Sequence, residues 1–461
     1  MIGSKKRKIG QNINWTLTLT PLVIILSLFI LLMVFPKSSE AAIMFLRDLL
    51  VNKFGSFYMV FGLGVLLLAI WLAFSPYGKI KLGDMEKPRF STFAWGSMIF
   101  TSTMAADIVY WSLIEWAYYF GAQPFALEGL TLAQRQDFAA SYPLFHWGPI
   151  PWSFYLLPAV AYGYMFFVKK RNRQTLSEAC RSTIGSKADS LLGKIIDIFS
   201  IVGLLAGTAT TFSLATPLLS LAISTSLGIE QSTSLTIAIL VFIALVYTTA
   251  VLLGIKGIEN LSNACVVIFL TLASIFLFFG PTRYIIESGI TGIGKMINDF
   301  FSMATWMDPA RLSGDGVSGF PQDWTIFYWA YWIAWFVATP FFIARISEGR
   351  TTAGLAGTYT SFIVFGNFGL FQQISGRVDA AGMLSAGASP SEVIVAIINQ
   401  LPFSKIVLII LALAMVAFYA STFDAITLVV SEYSLKKIDN EKEAPKRLRA
   451  FWAVIFIILP I

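Results

Sequence analysis

The stretch DWTIFYWAYWIAWFVATPFFIARISEGR, residues 323–350, is apolar, rich in aromatic rings and long enough to cross a bilayer as one helix. Helical periodicity places Tyr328, Trp332, Trp335 and Thr339 on one face. Trp and Tyr usually lie at the headgroup level of a membrane, but this stripe continues inward by more than a turn. Because ring faces attract cations without hydrogen-bond donors, the stretch predicts an intramembrane site for a methylated ammonium compound.

The composition of the whole chain is that of a polytopic membrane protein. Of 461 residues, 56% are hydrophobic and 13% are charged, and the mean hydropathy is +0.72, whereas about 25% of the residues in soluble domains are charged. Eleven apolar runs have about the 20 residues that a spanning helix needs, near 15–35, 56–76, 92–118, 145–168, 196–222, 234–253, 261–280, 324–344, 352–372, 403–431 and from 450 onward. We expect the last helix or helices to be truncated.

The net charge of +7 is explained by membrane topology. If the N-terminal tail is cytoplasmic, 24 of the 33 Lys and Arg residues fall in predicted cytoplasmic segments, as the positive-inside rule requires. We therefore expect a multi-pass protein of the plasma membrane with a cytoplasmic N-terminus and no nucleic-acid partner. Two cysteines, Cys180 and Cys265, and the single His146 indicate neither a disulfide framework nor a soft-metal site.

The run 92–118 contains ionisable residues at membrane depth. Asp107 is predicted in mid-helix, with Thr101 before it and Glu115 after it. A carboxylate near the bilayer centre costs roughly 2.5–3.5 kcal/mol, so it normally faces a cavity or a partner. The small residues of 101–106 would let the backbone unwind and expose carbonyls to an ion. The alternative is a packing patch in which Asp107 bonds to a neighbouring helix.

A second aromatic segment, FHWGPIPWSFY at 145–155, follows a predicted loop at 121–143. Its two prolines interrupt regular hydrogen bonding, and Trp152 and Tyr155 share a helical face. An interfacial aromatic belt is the alternative interpretation. We expect His146 to have a structural hydrogen-bonding role.

Hydroxyl and carboxylate groups recur in AFYASTFDAITLVV, residues 417–430. Ser421 and Thr422, together with carbonyls freed near Thr101, are hard oxygen ligands of the kind that sodium uses. The Gly- and Thr-rich stretch at 203–217 is typical of close helix packing. The segment 281–322 contains an amphipathic helix that we expect in the outer interface.

The order of the runs predicts two similar sets of helices. Each set opens with its most polar or most aromatic helix, which is the weak symmetry of inverted-repeat transporters. The predicted organisation is a tail with two peripheral spans at 1–90, a first five-helix repeat at 91–281, an amphipathic connector at 282–323, and an incomplete second repeat at 324–461.

Three motifs resemble the betaine/choline/carnitine transporter (BCCT) family: FHWGPIPWSFY at 145–155, DWTIFYWAYWIAW followed by ARISEGRT at 323–351, and KGIENLSNA at 256–264. A looser resemblance covers most of the chain. It implies an all-α polytopic membrane protein with a LeuT-like fold, in which two inverted five-helix repeats follow two N-terminal helices. The family often forms trimers, so the resemblance also implies a homotrimer.

The resemblance also implies residue roles. Trp147, Trp152, Tyr155 and Trp332 would form a box around a trimethylammonium group, with Trp335 lining the same site. The candidate substrate-binding residues are Asp107, Trp147, Trp152, Tyr155, Tyr328, Tyr331, Trp332 and Trp335. The candidate sodium ligands are the side chains of Ser421 and Thr422 and the backbone carbonyls of Thr101, Met104 and Phe418.

One departure from the family pattern bears on the substrate. Asp107 stands where betaine carriers tend to have glycine, and an unpaired Asp would repel the carboxylate of a zwitterion but attract fully cationic choline. Cys265 matches the position where sodium-independent exchangers of the family carry an arginine in place of the ion, which favours ion coupling. Proton coupling is disfavoured because His146 is the only histidine, although Asp107 could carry a proton.

The predicted function is import of choline with sodium by alternating access. A glycine betaine or carnitine transporter or exchanger is the alternative within the family, and a quaternary-ammonium sensor or channel is the alternative from another class. No segment pairs a nucleophile with a base, so no enzyme activity is expected. Sodium is the one predicted coupling ion, no cofactor is expected, and the predicted partners are the ammonium substrate and the lipid bilayer.

Overall fold

The chain is helical throughout the part that is described. A computed structural model describes residues 12–102, 105–122, 124–127, 129–313, 319–349, 358–438 and 443–458. Within these ranges the chain forms helices, loops and one isolated antiparallel bridge between Ile13 and Leu435, without a β-strand. The all-α prediction is confirmed.

Seventeen helices of eight or more residues occur in the described ranges. They are α1 Trp15–Val34, α2 Pro36–Asp48, α3 Gly55–Phe74, α4 Thr92–Ser102, α5 Ala105–Gly121, α6 Leu132–His146, α7 Pro149–Gly163, α8 Leu191–Leu227, α9 Thr233–Leu253, α10 Ile255–Phe279, α11 Thr282–Asn298, α12 Ile326–Ala334, α13 Ala338–Ile346, α14 Asn367–Ile374, α15 Pro390–Ile398, α16 Ser404–Tyr433 and α17 Lys446–Ile458.

Six of these helices are long and apolar enough to cross a membrane by themselves, namely α1, α3, α8, α9, α10 and α16. Two bent pairs could each form a further span: α4 with the helical segment that follows it, inclined by 65°, and α12 with α13, inclined by 54°. Helix α16 is central, since 72% of its most apolar 18 residues are buried. The corresponding values for α1 and α3 are 28% and 22%, so these two helices are peripheral, as predicted.

The prediction of one continuous helix across 324–344 is wrong. Helix α12 ends at Ala334 and α13 begins at Ala338. Pro340 lacks the N–H that would bond the carbonyl four residues earlier, at Phe336, so the regular ladder fails at this point. At the break, the Trp335 indole packs against Gly207 of α8. A Cβ added at Gly207 would lie 3.4 Å from the Trp335 Nε1 atom. Helical periodicity therefore does not relate Thr339 to Tyr328 and Trp332.

The prediction of a loop at 121–143 is also wrong in its second half. Helix α6 begins after a capping box in which the Thr131 hydroxyl accepts from the Gln134 backbone and the Gln134 side chain accepts from the Thr131 backbone. A sharp turn separates α6 from α7 at Gly148, where a Cβ would lie 2.5 Å from the Leu144 carbonyl oxygen. Glycine at this position permits the turn that presents the aromatic segment.

The amphipathic helix predicted after the first repeat is present as α11. It packs closely through small residues: a Cβ at Gly289 would lie 2.6 Å from Ile363, and one at Gly292 would lie 3.0 Å from the Ala140 carbonyl. Its location in the outer interface and the predicted domain boundaries stay predictions.

Candidate substrate and ion sites

Four predicted box residues meet in one buried cluster. The Trp332 ring of α12 lies 5.3 Å from Trp147, 5.5 Å from Trp152 and 4.9 Å from Tyr155, measured between ring centroids. Trp147, Tyr155 and Trp332 are fully buried and Trp152 is 9% exposed. We call these four residues the aromatic box. Its ring faces give a cation a π-rich lining.

The other predicted aromatic residues lie around the aromatic box rather than within it. Tyr328 adjoins Trp147 with a centroid separation of 5.6 Å. Tyr331 instead stacks on Phe327, 5.7 Å away. Trp335 makes no ring contact with the aromatic box in the described part of the chain and packs on Gly207 of α8.

Two indole groups at this site are polar, buried and unsatisfied. The Nε1 atoms of Trp332 and Trp335 have no hydrogen-bond partner within the described ranges. A buried donor without a partner costs on the order of 1–3 kcal/mol, and such groups often mark functional positions. They identify this region as one that can accept polar atoms of a ligand.

A buried carboxylate that the sequence reasoning did not assign holds one wall of the aromatic box. Glu115 Oε2 accepts a 2.7 Å hydrogen bond from the Trp147 indole nitrogen, and Oε1 accepts a 2.6 Å bond from the Tyr119 hydroxyl. Both bonds are charge-assisted, which makes them roughly twice as strong as neutral ones. Glu115 therefore fixes the orientation of the Trp147 ring.

His146 completes this network, as its predicted structural role requires. Its Nδ1 atom lies 2.7 Å from the Tyr119 hydroxyl and its Nε2 atom lies 3.0 Å from Thr325 Oγ1. Because the single Tyr119 hydroxyl proton is donated to Glu115, Nδ1 must carry a proton and donate to the tyrosine oxygen. The network links α5, α6 and the start of α12 behind Trp147.

Replacing Glu115 by Gln should weaken substrate binding through Trp147. A Gln side chain has one oxygen acceptor and one NH2 donor, so it cannot accept from both the Trp147 indole and the Tyr119 hydroxyl as Glu115 does. One of these two charge-assisted bonds is lost, at about 1.5–3 kcal/mol. We expect a roughly tenfold rise in the substrate concentration for half-maximal uptake, with a smaller change in maximal rate, measured in proteoliposomes.

The control for this prediction is a Trp147→Phe background, which has no indole N–H for Glu115 to hold. Adding Glu115→Gln to Trp147→Phe should change half-saturation by less than about twofold, because coupled residues are not additive. Equal effects in both backgrounds would show that Glu115 does not act through Trp147.

Asp107 does not lie in mid-helix as predicted, but in the first turn of α5. A carboxylate there is stabilised by the positive end of the helix dipole. It is fully buried, and its Oδ2 atom accepts a 2.8 Å hydrogen bond from Thr211 Oγ1 of α8. Tyr155 and Tyr331 lie within its electrostatic reach. An acidic side chain is thereby placed beside the aromatic box.

Hydroxyl groups from three helices meet at the candidate ion site. Thr101 Oγ1 at the end of α4 lies 2.7 Å from Ser262 Oγ of α10 and 2.9 Å from Ser421 Oγ of α16. The Ser262 and Ser421 oxygens are 3.1 Å apart, which closes a triangle. Thr422 Oγ1 donates to the Thr101 carbonyl at 2.9 Å.

This oxygen cluster fits a hard cation. Its residues, Thr101, Ser262, Ser421 and Thr422, offer four hydroxyls and the Thr101 carbonyl and no carboxylate, and such ligands suit cations that prefer oxygen. Phe418, one turn before Thr422, is buried and its ring packs on Phe100. Met104 lies outside the described residues. No group of three or more His, Cys, Asp or Glu side chains gathers as a metal site in the described ranges.

Asp424 does not join the oxygen cluster, although it follows Thr422 by two residues. Its Oδ1 atom lies 3.9 Å from Arg449 of α17. Nearer the end of α16, Glu432 pairs with Arg345 of α13 at 3.5 Å, and both side chains are buried. Arg345 belongs to the motif ARISEGRT. These pairs connect the ends of α13, α16 and α17.

Three residues at the two sites were missed by the sequence reasoning: Glu115, Thr211 and Ser262. Each lay in a stretch that the sequence had singled out, since Thr211 belongs to the Gly- and Thr-rich segment and Ser262 to the motif KGIENLSNA. The missing information was which helix each side chain faces.

Comparison with known proteins identifies the family. The family model described as BCCT, betaine/carnitine/choline family transporter, matches residues 16–461. A protein of Acinetobacter baumannii named carnitine transporter is 27% identical over 414 residues, which are 87% of this chain and 74% of that protein.

A solved structure titled as the substrate-bound outward-open state of a Na+-coupled sialic acid symporter covers 89% of this chain and 80% of its own, at 16% identity and a TM-score of 0.38. The match of the family model over nearly the whole chain confirms the predicted family. The chain belongs to the betaine/carnitine/choline transporter family, whose members are multi-pass membrane transporters of small quaternary ammonium compounds and not enzymes.

Proposed function

We propose that this protein is a secondary active transporter that imports choline together with sodium by alternating access. The observation that carries the proposal is the position of Asp107 beside the aromatic box. The rings of Trp147, Trp152, Tyr155 and Trp332 suit the trimethylammonium group. The buried carboxylate supplies the charge that balances a substrate with a net positive charge.

The location of Asp107 in the first turn of α5 strengthens the preference for a cation. In transporters with broken helices, the N-terminus of a half-helix commonly faces the anionic group of the substrate. Here the chain's own carboxylate lies in that first turn and is held by Thr211. The carboxylate of betaine or carnitine would meet this like charge, whereas choline carries none.

Replacing Asp107 by Gly should shift the preference away from choline. Two unit charges roughly 8–16 Å apart interact by about 1–2 kcal/mol at an effective dielectric constant of about 20. We expect uptake of choline relative to glycine betaine and carnitine to fall roughly tenfold, measured as the ratio of rate to half-saturation for each compound in one proteoliposome preparation.

The matched control is Asp197→Gly, because Asp197 is also buried on a spanning helix but bonds Arg173 and Ser177, far along the chain from the aromatic box. Its substrate ratio should be unchanged even if expression falls. An unaltered choline preference in Asp107→Gly would contradict the proposed role of Asp107.

Sodium is the proposed coupling ion because the oxygen cluster of Thr101, Ser262, Ser421 and Thr422 contains hard ligands without charge. The proposal places the protein in the plasma membrane with its N-terminus in the cytoplasm, in agreement with the distribution of Lys and Arg. It also includes a homotrimeric assembly, as the family resemblance implies.

Transport of carnitine is the second candidate, favoured by the printed name of the Acinetobacter relative. A competition panel of choline, glycine betaine and carnitine, with and without sodium, separates the candidates. A sensor or channel would bind the same compounds but would not concentrate them. Accumulation against a gradient under imposed sodium therefore supports a symporter, and binding without accumulation refutes it.

A further inference from the structure

An apolar crevice lies on the side of the aromatic box that faces the peripheral helix α3. It has a volume of about 350 Å³ and is bounded by α3, α4, α7 and α13. Representative lining residues are Ile70, Phe74, Trp95, Leu156 and Ala344. Ligand cavities commonly measure about 300–1,000 Å³, so this one has room for part of a single hydrocarbon chain.

The crevice has little capacity to hold water. Its two serine hydroxyls are satisfied within the protein: Ser153 donates to the Pro149 carbonyl at 2.7 Å, and Ser347 accepts from the Trp95 indole at 2.9 Å. A cavity lined by apolar groups stays dry unless an apolar molecule enters it. Its natural occupant is therefore apolar.

The mouth of the crevice opens toward lipid. Ile70 and Phe74 of α3 are 46% and 89% exposed and stand at its edge. Helix α3 is one of the two least buried spans, so the medium outside this edge is the acyl chains of the bilayer. A chain of a membrane lipid can enter without crossing a polar region.

Basic residues stand at the other end of the crevice. Leu82 lines its floor, and the Leu82 carbonyl accepts from the Gly349 backbone, which holds the linker against the end of α13. Lys79 and Lys81 precede this anchored residue and are exposed. Of the acidic side chains beside it, Asp84 is paired with Lys170 at 2.8 Å, and Glu348 packs on Gly83.

The charge of the linker selects the headgroup of the lipid. Lipid tails are as apolar as the crevice, so burial of a chain alone gives little net driving force. Juxtamembrane lysines do attract anionic headgroups. The positive-inside rule assigns this basic end to the inner leaflet.

Two rings belong to both the crevice and the aromatic box. Trp152 and Tyr155 line the crevice, and their ring centroids lie 5.5 Å and 4.9 Å from that of Trp332. An occupant of the crevice would therefore contact side chains that also form the aromatic box.

We propose that this crevice binds one acyl chain of an anionic phospholipid of the inner leaflet, and that the bound chain supports Trp152 in the aromatic box. The proposal that a lipid binds rests on the crevice alone. The effect on the aromatic box rests on the proposed transport function.

The first experiment measures lipid binding without substrate. The full chain is purified in detergent, delipidated and titrated with phosphatidylglycerol or phosphatidylcholine, and retained lipid is counted by native mass spectrometry. We expect retention of phosphatidylglycerol, and a roughly fivefold weaker apparent affinity for each of Lys79→Gln and Lys81→Gln. Equal retention of the two lipids would overturn the headgroup assignment.

The second experiment tests lipid retention in a variant whose crevice is blocked by a larger side chain. Ala73→Phe places a ring at the mouth, and Leu68→Phe on the same helix is the matched control outside the crevice. Only Ala73→Phe should lose the retained lipid. Equal retention of lipid by both variants would overturn the proposal. Labelling of Ile70→Cys by a water-soluble thiol reagent would also overturn it, because the crevice would then be an aqueous path. Displacement of the lipid by choline would overturn it too, because the crevice would then belong to the substrate path.

The third arm measures transport in liposomes with and without phosphatidylglycerol. Wild type should show a severalfold lower half-saturating substrate concentration when phosphatidylglycerol is present, and Ala73→Phe should not respond. If lipid is retained but half-saturation does not depend on it, the support of Trp152 is refuted. If no compound is transported at all, the proposed function fails while the mass-spectrometric result still decides the lipid site.

Discussion

Replacement of Trp332 by Leu should reduce the apparent affinity for the transported ammonium compound by roughly 30-fold. Trp332 is the ring that contacts the three other members of the aromatic box. A desolvated cation–π contact contributes about 2 kcal/mol or more, and each 1.4 kcal/mol corresponds to a tenfold change in affinity. Uptake of radiolabelled choline into proteoliposomes measures the effect as a rise in half-saturation.

Two variants control for misfolding. Trp332→Phe retains a ring face and should recover most of the affinity. Trp71→Leu makes the same exchange on α3, where Trp71 is 57% exposed, and should have little effect. If Trp332→Leu transports choline with wild-type half-saturation while present in the membrane at the same level, the aromatic box is not the substrate site.

Replacement of Ser421 by Ala should raise the sodium concentration for half-maximal uptake tenfold or more. Ser421 lies in the hydroxyl triangle with Thr101 and Ser262. Ligand number and charge determine the affinity of an oxygen site, and a site without a carboxylate has few ligands to spare. The expected signature is a higher sodium requirement with choline half-saturation little changed at saturating sodium.

Ser431→Ala is the matched control. Ser431 is buried on the same helix and donates to the Thr427 carbonyl, one turn earlier. Its sodium dependence should match that of wild type. Ser262→Ala should resemble Ser421→Ala, since Ser262 completes the triangle. Sodium dependence that survives in both triangle variants would place the coupling ion elsewhere.

The two candidate sites lie on consecutive helical segments that are inclined by 65°. Thr101 stands at the end of α4, and Asp107 stands in the first turn of α5. A ligand that holds Thr101 and a ligand that is attracted by Asp107 therefore act on helices that are consecutive in the chain. Under the proposed function, this arrangement gives the coupling ion and the substrate a short physical route by which each affects the binding of the other.

Several features of the fold were predictable because they depend on local periodicity. The lengths of the apolar runs predicted α1, α3 and α16 closely, since a span must be about 20 residues of apolar sequence. The unwinding predicted near 101–106 stays a prediction, because residues 103 and 104 lie outside the described residues. The break after Ala334 was predictable as well, had the effect of Pro340 on its preceding turn been considered.

Other features depended on contacts between distant parts of the chain. Nothing near Glu115 in the sequence indicates that it accepts from Trp147, 32 positions later. The bond from Thr211 to Asp107 joins residues 104 positions apart. Periodicity states which residues share a face of one helix, but not which other helix that face meets.

The sequence by itself determined that the protein is a membrane transporter with aromatic and oxygen-rich segments, because hydropathy, charge distribution and motif spacing are properties of the chain alone. Only the tertiary structure decided which of these groups meet. It assembled Trp147, Trp152, Tyr155 and Trp332 into the aromatic box and placed Trp335 against α8. The physical reason is that buried polar and aromatic groups must find partners across helices, and those partners are selected by packing in three dimensions.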